Sequence, residues 1–337
     1  MVDRQTPIVV TGAAGFIGAY VCRALLARGE AVVGLDNFNA YYDPKMKRDR
    51  VAALCPEITI ETIDIADAAA VTDFFQRHAP TRVVHLAAQA GVRYSLESPQ
   101  TYVQSNLVGF GNVLEACRRA GVHHLVYASS SSVYGAAAVA PFAEQQRVDQ
   151  PLSLYAATKA ANELMAYSYA HLFRLRQTGL RFFTVYGPWG RPDMAPILFT
   201  RAALAGRPIT VFNHGRMRRD FTWIDDIVAG VLSALDHPPT DTGDSAPHRV
   251  FNLGKQHPEQ LGHFIDLLEA AVGRPITRKY LPMQAGDMVE TMADSQRAER
   301  ELGFAPRVAI EQGLPELVEW CRRYDSAAAL NHGAVDG

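Results

Sequence analysis

The 337-residue sequence lacks the features of a secreted, membrane-spanning or nucleic-acid-binding protein. Its four cysteines lie far apart, without a C-x-x-C pair or a histidine at ligand spacing, which argues against a disulfide framework or a zinc site. A formal net charge of -2 provides no basic field for nucleic acid or an anionic membrane. No apolar run is long enough to cross a bilayer, and the first residues lack the pattern of a signal peptide. We therefore expect a cytoplasmic protein that binds no metal, no nucleic acid and no membrane.

Short apolar runs alternate with helical patterns through the first half of the chain. Continuous apolar strands separated by helices are typical of a parallel sheet that helices cover on both faces. Two helical stretches, Thr101 to Ala120 and Tyr155 to Leu175, are long and strongly patterned. The expected fold class is therefore α/β, with a doubly wound parallel sheet. The predicted strands are 8–10, 31–35, 58–63, 82–86, 125–128, 179–183, 209–212 and 249–253, and residues 221–235 are predicted to form a further strand, a turn and a helix.

The regular alternation is lost after Tyr186, where Gly187 to Pro192 has the composition of a loop. We interpret this change as the start of a smaller, interrupted α/β substrate domain, inserted near the C-terminal end of a large nucleotide-binding domain. The predicted boundaries are 1–186 and 219–254 for the large domain, 187–218 and 255–325 for the small one, and 326–337 for a disordered tail.

Three glycines, Gly12, Gly15 and Gly18, follow the first predicted strand and open the first helix. Glycines alone also mark ordinary turns, but between a strand and a helix they let the backbone approach a pyrophosphate at a helix N-terminus. Asp36 ends the next strand, where an acid hydrogen-bonds the adenosine ribose and repels a 2′-phosphate. The alternative is a carboxylate that only caps its strand. The pattern favours NAD over NADP.

Tyr155 and Lys159 are four residues apart and therefore share one face of a helix. A nearby ammonium favours the phenolate, which lowers a tyrosine pKa from about 10 and makes the side chain a usable base. The same spacing also arises by chance on an ordinary helix. Here the pair follows a buried strand that ends in Ser129 to Ser132, whose hydroxyls can bind the same substrate oxygen. Otherwise such a serine run is typical of a flexible turn.

These motifs together resemble those of the extended short-chain dehydrogenases/reductases, and among them the nucleotide-sugar epimerases. The resemblance runs from about Ile8 to about Tyr324. Several segments look most like UDP-glucuronate 4-epimerases, although Trp223 stands where a Tyr is more usual. These segments are Tyr41 to Pro44, Gln89 to Ser95, Arg181 to Ala195 and Arg219 to Asp226.

The resemblance implies a Rossmann-type sheet, bound NAD, and inversion at C4 of a UDP-sugar through a transient 4-keto sugar. Tyr155 would take the O4 proton, Lys159 would bind the nicotinamide ribose, and Ser130 would hydrogen-bond O4. The expected reaction converts UDP-glucuronate to UDP-galacturonate without decarboxylation. The expected dinucleotide contacts are Gly12, Gly15, Phe16, Ile17, Gly18, Asp36, Asn37, Asn39, Asp64, Ile65, Leu86, Ala87, Ala88, Gln89, Asn106, Tyr155, Lys159 and Phe182.

The carboxylate of a glucuronate substrate needs protection, because its 4-keto form is a β-keto acid that loses CO2 easily. Ser131, Ser132, Thr184 and Arg191 stand at matching positions and would grip that carboxylate. By the same resemblance, 4,6-dehydratases carry an Asp-Glu pair where Ser131 and Ser132 stand, and UDP-glucuronate decarboxylases carry Glu at the second position. The absence of both acids favours epimerisation alone.

The resemblance also implies a substrate contact at Arg93 and a nucleotide end of the site at Phe212, Arg219 and Asp287. The resemblance implies that Arg219 binds the diphosphate, Phe212 stacks on uracil and Asp287 binds the uridine ribose. A solvated basic loop is the alternative for the arginines around position 217. Gln284 stands where some relatives place a second phosphate-binding arginine, so diphosphate binding is expected to be distributed differently here.

Other functions stay open at this point. The sugar is alternatively UDP-glucose or UDP-N-acetylglucosamine, since the small Thr291 in the wall near C2 does not exclude them. A non-catalytic NAD-binding protein and a simple dehydrogenase are further alternatives. The helices 101–120 and 155–175 resemble the pair through which relatives dimerise, although apolar helix faces more often belong to a core. We expect a homodimer.

Overall fold

The computed structural model describes residues 6–137, 139–284 and 286–333. Its strands include those that the sequence predicts, together with short ones at 184–186, 258–260 and 278–280. The strands are β1 (Ile8–Thr11), β2 (Val32–Asp36), β3 (Thr59–Thr62), β4 (Arg82–His85), β5 (His124–Ser130), β6 (Arg176–Phe182), β7 (Thr184–Tyr186), β8 (Ile209–Val211), β9 (Arg218–Trp223), β10 (His248–Leu253), β11 (Pro258–Gln260) and β12 (Arg278–Tyr280).

Helices connect the strands along the whole chain. None of the described helices combines the length and the apolar character that crossing a membrane requires. The α-helices are α1 (Phe16–Ala27), α2 (Pro44–Leu54), α3 (Ala68–His78), α4 (Tyr94–Glu97), α5 (Pro99–Tyr102), α6 (Gly109–Arg119), α7 (Leu154–Phe173), α8 (Ala195–Leu204), α9 (Ile224–Asp236), α10 (Leu261–Val272), α11 (Gln296–Leu302) and α12 (Ile310–Gly333).

Seven strands form one parallel sheet in the order β10-β6-β5-β4-β1-β2-β3. The chain builds outward from β1 to β3 and then returns to the other side of β1 with β4. Strand order therefore reverses between β1 and β4, and in open α/β sheets ligands bind outside the carboxyl ends of the strands at such a point. The predicted doubly wound α/β fold is confirmed.

Side chains that alternate along the central strands pack on opposite faces of this sheet. Val10 of β1 lies in one hydrophobic cluster with helices α1 and α9, and Val9 lies in another with α3 and α6. Val84 and Val83 of β4 divide in the same way. All four valines are fully buried. Burial on both faces is the reason that these strands are continuous apolar runs in the sequence.

Two smaller sheets are formed by strands that follow β6 in the chain. Strands β11, β9 and β7 form a three-stranded sheet, and β12 pairs with β8. Strand β9 joins β7, which lies before the predicted boundary at 186, to β11, which lies after the one at 254. The two segments are thus linked by backbone hydrogen bonds, and the predicted division into domains stays a prediction.

The structure differs from the sequence-based prediction at one helix. The stretch predicted as one helix from Thr101 to Ala120 contains a π-helical segment at Val103–Val108 between α5 and α6. The apolar pattern continues through that segment, so periodicity alone did not reveal the change in winding. Helix α12 ends at Gly333, residues 334–337 lie outside the described residues, and the predicted disordered tail from residue 326 stays a prediction.

Candidate active site

A cavity of about 350 Å³ opens at the carboxyl ends of β1, β2, β4, β5 and β6. Most of the residues that the sequence predicts for the cofactor and the sugar line this one cavity. They are Gly12, Gly15, Phe16, Ile17, Gly18, Asp36, Asn37, Asn39, Ile65, Leu86, Ala87, Ala88, Gln89, Ser130, Ser131, Ser132, Tyr155, Lys159, Phe182, Thr184 and Arg191.

Two predicted cofactor residues support the cavity from behind its lining. Asn106 is buried, accepts a hydrogen bond from the Gln89 amide and donates to the Gln89 carbonyl, at 2.9 and 3.0 Å. Asp64 accepts a hydrogen bond from Asn37 Nδ2 at 3.0 Å. Each therefore holds a lining residue in place.

The glycine turn has no room for side chains. Gly12 has a φ of +68°, and a Cβ there would lie 2.7 Å from the Ala87 amide nitrogen. A Cβ on Gly18 would lie 2.0 Å from the Gly12 carbonyl oxygen. The turn is thus an open backbone cradle at the start of α1, and a pyrophosphate fits a cradle of this kind.

Asp36 joins the glycine turn to the loop that follows β2. Its carboxylate accepts hydrogen bonds from the amides of Ala14, at 3.2 Å, and of Phe38, at 2.8 Å. The side chain also lines the cavity, where an acid accepts hydrogen bonds from ribose hydroxyls and repels a 2′-phosphate. The donor set of the cavity therefore fits NAD.

Helix α7 carries Lys159 into the cavity. The helix begins after Ser153, whose hydroxyl accepts a hydrogen bond from the Ala156 amide and caps the helix. The Lys159 ammonium is buried and donates to the Ala128 carbonyl at 2.8 Å. Burial lowers the pKa of Lys159 to about 8, against the opposing effect of Glu163.

Tyr155 lies one helical turn before Lys159. Burial raises the pKa of the phenol above its usual value, whereas the Ser130 hydroxyl and Arg191 both lower it. The sequence predicts that Lys159 lowers this pKa, but in the structure the ammonium binds a backbone carbonyl and desolvation dominates. The Tyr155 phenol in this structure is therefore protonated at neutral pH.

The serine run divides between the cavity and the protein interior. Ser130 Oγ donates to Ser132 Oγ at 3.1 Å and accepts a hydrogen bond from the Ser132 amide. Ser129 instead donates to Glu163 at 2.6 Å, and Glu163 pairs with the buried Arg181. This buried network fixes the end of β5, so the hydroxyls of the next three serines line the cavity.

Arg191 is paired with an acid of its own loop. Its Nε donates to Asp193 Oδ1 at 3.0 Å, and a second nitrogen contacts Asp193 Oδ2. The Tyr41 hydroxyl donates to the same carboxylate at 3.0 Å. Arg191, which the sequence predicts to bind a substrate carboxylate, thus lines the cavity as part of an ion pair with no net charge.

The predicted nucleotide-binding residues form two contacts of their own. Arg219 donates to Asp287 at 2.7 Å, and the guanidinium of Arg93 lies 5.0 Å from the centre of the Phe212 ring. Val92, which precedes Arg93, lines the cavity and lies beside Gly286. The two contacts therefore adjoin the cavity without lining it.

The sequence-based analysis did not identify Lys47 as a site residue. Lys47 lies on α2, lines the cavity, is 5% exposed and donates to Asn39 at 2.9 Å. Its neighbours on the helix include Lys45 and Arg48, so the segment has the composition of a solvated basic face. The segment Tyr41 to Pro44, which resembles that of the epimerases, directly precedes α2. It was the sequence feature from which a position of Lys47 beside the cavity could have been predicted.

Comparison with protein families identifies the group of enzymes to which this fold and cavity belong. The model of the NAD dependent epimerase/dehydratase family matches residues 8–254. The chain belongs to this family. NAD is the cofactor of this epimerase, and the glycine turn and Asp36 are the parts of the chain that fit it.

The epimerase is similar over nearly its whole length to proteins named as UDP-sugar 4-epimerases. It is 48% identical to UDP-glucuronate 4-epimerase 3 of Arabidopsis thaliana over 95% of this chain and 77% of the relative. Its structure is similar to UDP-glucuronic acid 4-epimerase of Bacillus cereus in complex with UDP-glucuronic acid and NAD, with a TM-score of 0.85, 33% identity and coverage of 94% and 99%. UDP-glucose 4-epimerase of Thermotoga maritima also gives a TM-score of 0.85, with 30% identity and the same coverage.

Proposed function

We propose that this epimerase interconverts UDP-glucuronate and UDP-galacturonate by inverting C4, without releasing CO2. The observation that carries the proposal is the cavity wall beside Tyr155, where Ser130, Ser131 and Ser132 provide hydroxyls. A carboxylate substrate meets neutral donors there instead of a like charge. The relatives named for the same reaction support this proposal.

Two side chains of the protein, Ser130 and Tyr155, act on the O4 hydroxyl of the sugar. Ser130 hydrogen-bonds the sugar O4 and orients it towards Tyr155. The Ser130 hydroxyl and Arg191 both oppose the effect of burial on the Tyr155 pKa, and the phenolate form that they favour accepts the O4 proton as the carbonyl forms. NAD held at the glycine turn and Asp36 would supply reversible hydride acceptance at C4, and inversion would require the hydride to return to the other face of the 4-keto sugar, with no net redox change. Tyr155 then gives the proton back to O4.

The carboxylate of the 4-keto sugar is held by groups that oppose its loss as CO2. Ser131, Ser132 and Thr184 line the cavity as neutral donors, and Arg191 adds a cation. Hydrogen bonds to the carboxylate stabilise its charge, which would otherwise pass into the ring as the C–C bond breaks. At the other end of the substrate, Arg219, Arg93, Phe212 and Asp287 bind the UDP moiety.

The product of the reaction tests this proposal directly. Purified protein incubated with UDP-glucuronate is expected to form UDP-galacturonate and no UDP-pentose, as followed by proton NMR. Epimerisation of UDP-glucose alone would overturn the choice of sugar. That alternative is favoured by the similarity to a UDP-glucose 4-epimerase and is not excluded by the small Thr291, and comparing kcat/KM for the three UDP-sugars decides it.

Removing the Arg191 side chain is expected to reduce kcat/KM selectively for UDP-glucuronate. Arg191→Ala alone leaves Asp193 unpaired, and that charge would repel an anionic sugar even if Arg191 never touched it. The informative variant is therefore Arg191→Ala with Asp193→Asn, compared with Asp193→Asn. We expect the added loss to be about 10- to 100-fold for UDP-glucuronate and small for UDP-glucose, as for a hydrogen bond to a charged group. Equal losses on both sugars would contradict a carboxylate contact.

The activity is expected to fall as the pH rises through about 8. Burial lowers the pKa of Lys159 to about 8, so its ammonium prevails below that pH and is lost above it. A neutral amine is a weaker hydrogen-bond donor to the nicotinamide ribose that Lys159 is expected to bind, so the cofactor is held less well and kcat/KM decreases. Lys159→Met is expected to be slower at every pH and to lack this alkaline decrease. An unchanged alkaline decrease in the variant would assign it to another group.

We also propose that the protein is a cytoplasmic homodimer. The outer face of α7 exposes three large apolar side chains, Leu164, Tyr167 and Leu172. Contiguous apolar side chains on one helix face mark association surfaces. Sedimentation velocity of the protein and of a Leu164→Glu, Leu172→Glu variant tests the dimer, which the two charges are expected to dissociate. The four buried, unpaired cysteines suit a reducing compartment.

A further inference from the structure

Arg50 of α2 is a fully buried cation that is held by neutral groups. It is 0% exposed, and within residues 6–137, 139–284 and 286–333 it forms no ion pair. Its Nη1 donates to the Ala14 carbonyl at 2.6 Å and to the Tyr42 hydroxyl at 3.1 Å, and its Nε donates to the Trp189 carbonyl at 3.0 Å. The remaining nitrogen, Nη2, is buried with no partner among the described residues.

Two other buried arginines are each paired with an acid, whereas Arg50 has no acid partner among the described residues. Arg82 is paired with Glu30 at 2.8 Å, and Arg181 is paired with Glu163 at 2.7 Å. Burying a cation without an acid is unfavourable. A buried arginine without an ion pair therefore indicates that its hydrogen bonds serve a role that a neutral side chain could not fill. The guanidinium donates in fixed, divergent directions, so it can hold two backbone segments at once.

Each of the two segments that Arg50 holds adjoins residues that line the cavity, Gly12 and Gly15 for one and Arg191 for the other. Ala14 lies inside the glycine turn, between Gly12 and Gly15. Trp189 precedes Arg191 by two residues and adopts a φ of +62°, which is unfavourable for a bulky side chain. Surrounding contacts must maintain such a backbone conformation.

Trp189 is fixed from two sides. Its ring packs against Trp320 and Tyr324 of α12, with ring centres 5.1 and 5.0 Å apart. Its carbonyl is fixed by Arg50. The ring contacts anchor the residue to the small-sheet side of the molecule, whereas the carbonyl contact ties it to the glycine turn. The position of Arg191 in the cavity therefore depends on where Arg50 sits.

We propose that Arg50 is a positioning residue that couples the dinucleotide end of the cavity to its sugar end. Dinucleotide bound at the glycine turn holds Ala14, Ala14 holds the guanidinium, and the guanidinium holds the Trp189 carbonyl and with it the loop 187–194. Binding of the dinucleotide thus orders the loop that carries Arg191 and Asp193 before the sugar arrives. Of the two tests of this coupling, only the kinetic comparison of UDP-sugars rests on the proposed function.

Hydrogen exchange measured by mass spectrometry tests the coupling without any sugar. Adding NAD to the NAD-depleted wild-type protein is expected to slow amide exchange at 12–18 and also at 187–194. In Arg50→Lys, where one ammonium nitrogen replaces the separate Nε and Nη1 donors, saturating NAD is expected to slow exchange at 12–18 only. Arg82→Lys is the matched control and should behave as wild type at both segments. Unchanged wild-type exchange at 187–194, or full protection there in Arg50→Lys, would overturn the proposal.

Kinetics provide a second, independent readout. Arg50→Lys is expected to reduce the preference for UDP-glucuronate over UDP-glucose at least 10-fold. The same substitution in an Arg191→Ala background should cause no further loss of preference, because Arg50 acts through the loop that carries Arg191. A purely structural role would lower the melting temperature and would lower kcat/KM equally for both sugars. In the double variant the losses caused by Arg50→Lys and by Arg191→Ala would then multiply. If the protein does not act on UDP-glucuronate, the proposed function fails while the exchange experiment still decides the coupling.

Discussion

Replacing Tyr155 with phenylalanine is expected to lower kcat about 10²- to 10⁴-fold, the usual contribution of a positioned acid–base group. The ring should stay in place, because it packs edge-on against Tyr102 with centres 6.1 Å apart and that contact needs no hydroxyl. NAD binding and the KM for the UDP-sugar should change little. Steady-state kinetics by NMR or by a coupled assay, with NAD content from absorbance, separate the two effects.

Tyr127→Phe is the matched control for this experiment. Tyr127 lies on β5, the strand that ends in the serine run, and is fully buried outside the cavity lining. Its hydroxyl pairs with His248 at 2.8 Å, so removing it should cost about 1 kcal/mol of stability and leave kcat nearly unchanged. A Tyr155→Phe protein that retains its kcat would remove Tyr155 from the mechanism and favour a non-catalytic role for the dinucleotide site.

The sheet could be predicted from the sequence because its central strands are buried on both faces. Valines such as Val9 and Val10 face opposite layers, which produces continuous apolar runs that few other structures require. The glycine turn was predictable for a similar reason. Close backbone approach at Gly12 and Gly18 excludes every side chain, so the constraint appears directly as residue identity.

The partners of the charged side chains could not be predicted in this way. The sequence predicts Arg191 as a cation for the substrate, but Asp193 lies two residues away and neutralises it in the unliganded site. Lys159 was expected to act on Tyr155, yet its ammonium is closest to a carbonyl that only the folded β5 presents. Arg50 looks like part of a solvated basic helix. Its burial depends on two loops that are 175 residues apart in sequence, Ala14 and Trp189.

Replacing Gly18 with alanine is expected to weaken NAD binding by about 10²-fold, the scale on which small misplacements in a binding site act. The new Cβ would lie 2.0 Å from the Gly12 carbonyl oxygen and 3.1 Å from Ala13 Cα. Both are backbone atoms of the turn, so no side chain can rotate away to make room. The turn must shift instead, and with it the amides that face the pyrophosphate. Overpacking of this kind also destabilises the fold by about 1–3 kcal/mol.

Gly262→Ala separates this clash from the general effect of adding a methyl group to a helix. Gly262 lies in α10, where a Cβ meets nothing within 4 Å. Alanine there should stabilise the protein by about 0.5–1 kcal/mol, since it removes backbone entropy from the unfolded chain. The two substitutions are chemically identical and should shift the melting temperature in opposite directions, with NAD affinity lost only in Gly18→Ala. Equal NAD affinities in isothermal titration would show that the dinucleotide does not depend on the tight turn, and the cofactor site would have to be placed elsewhere in the cavity.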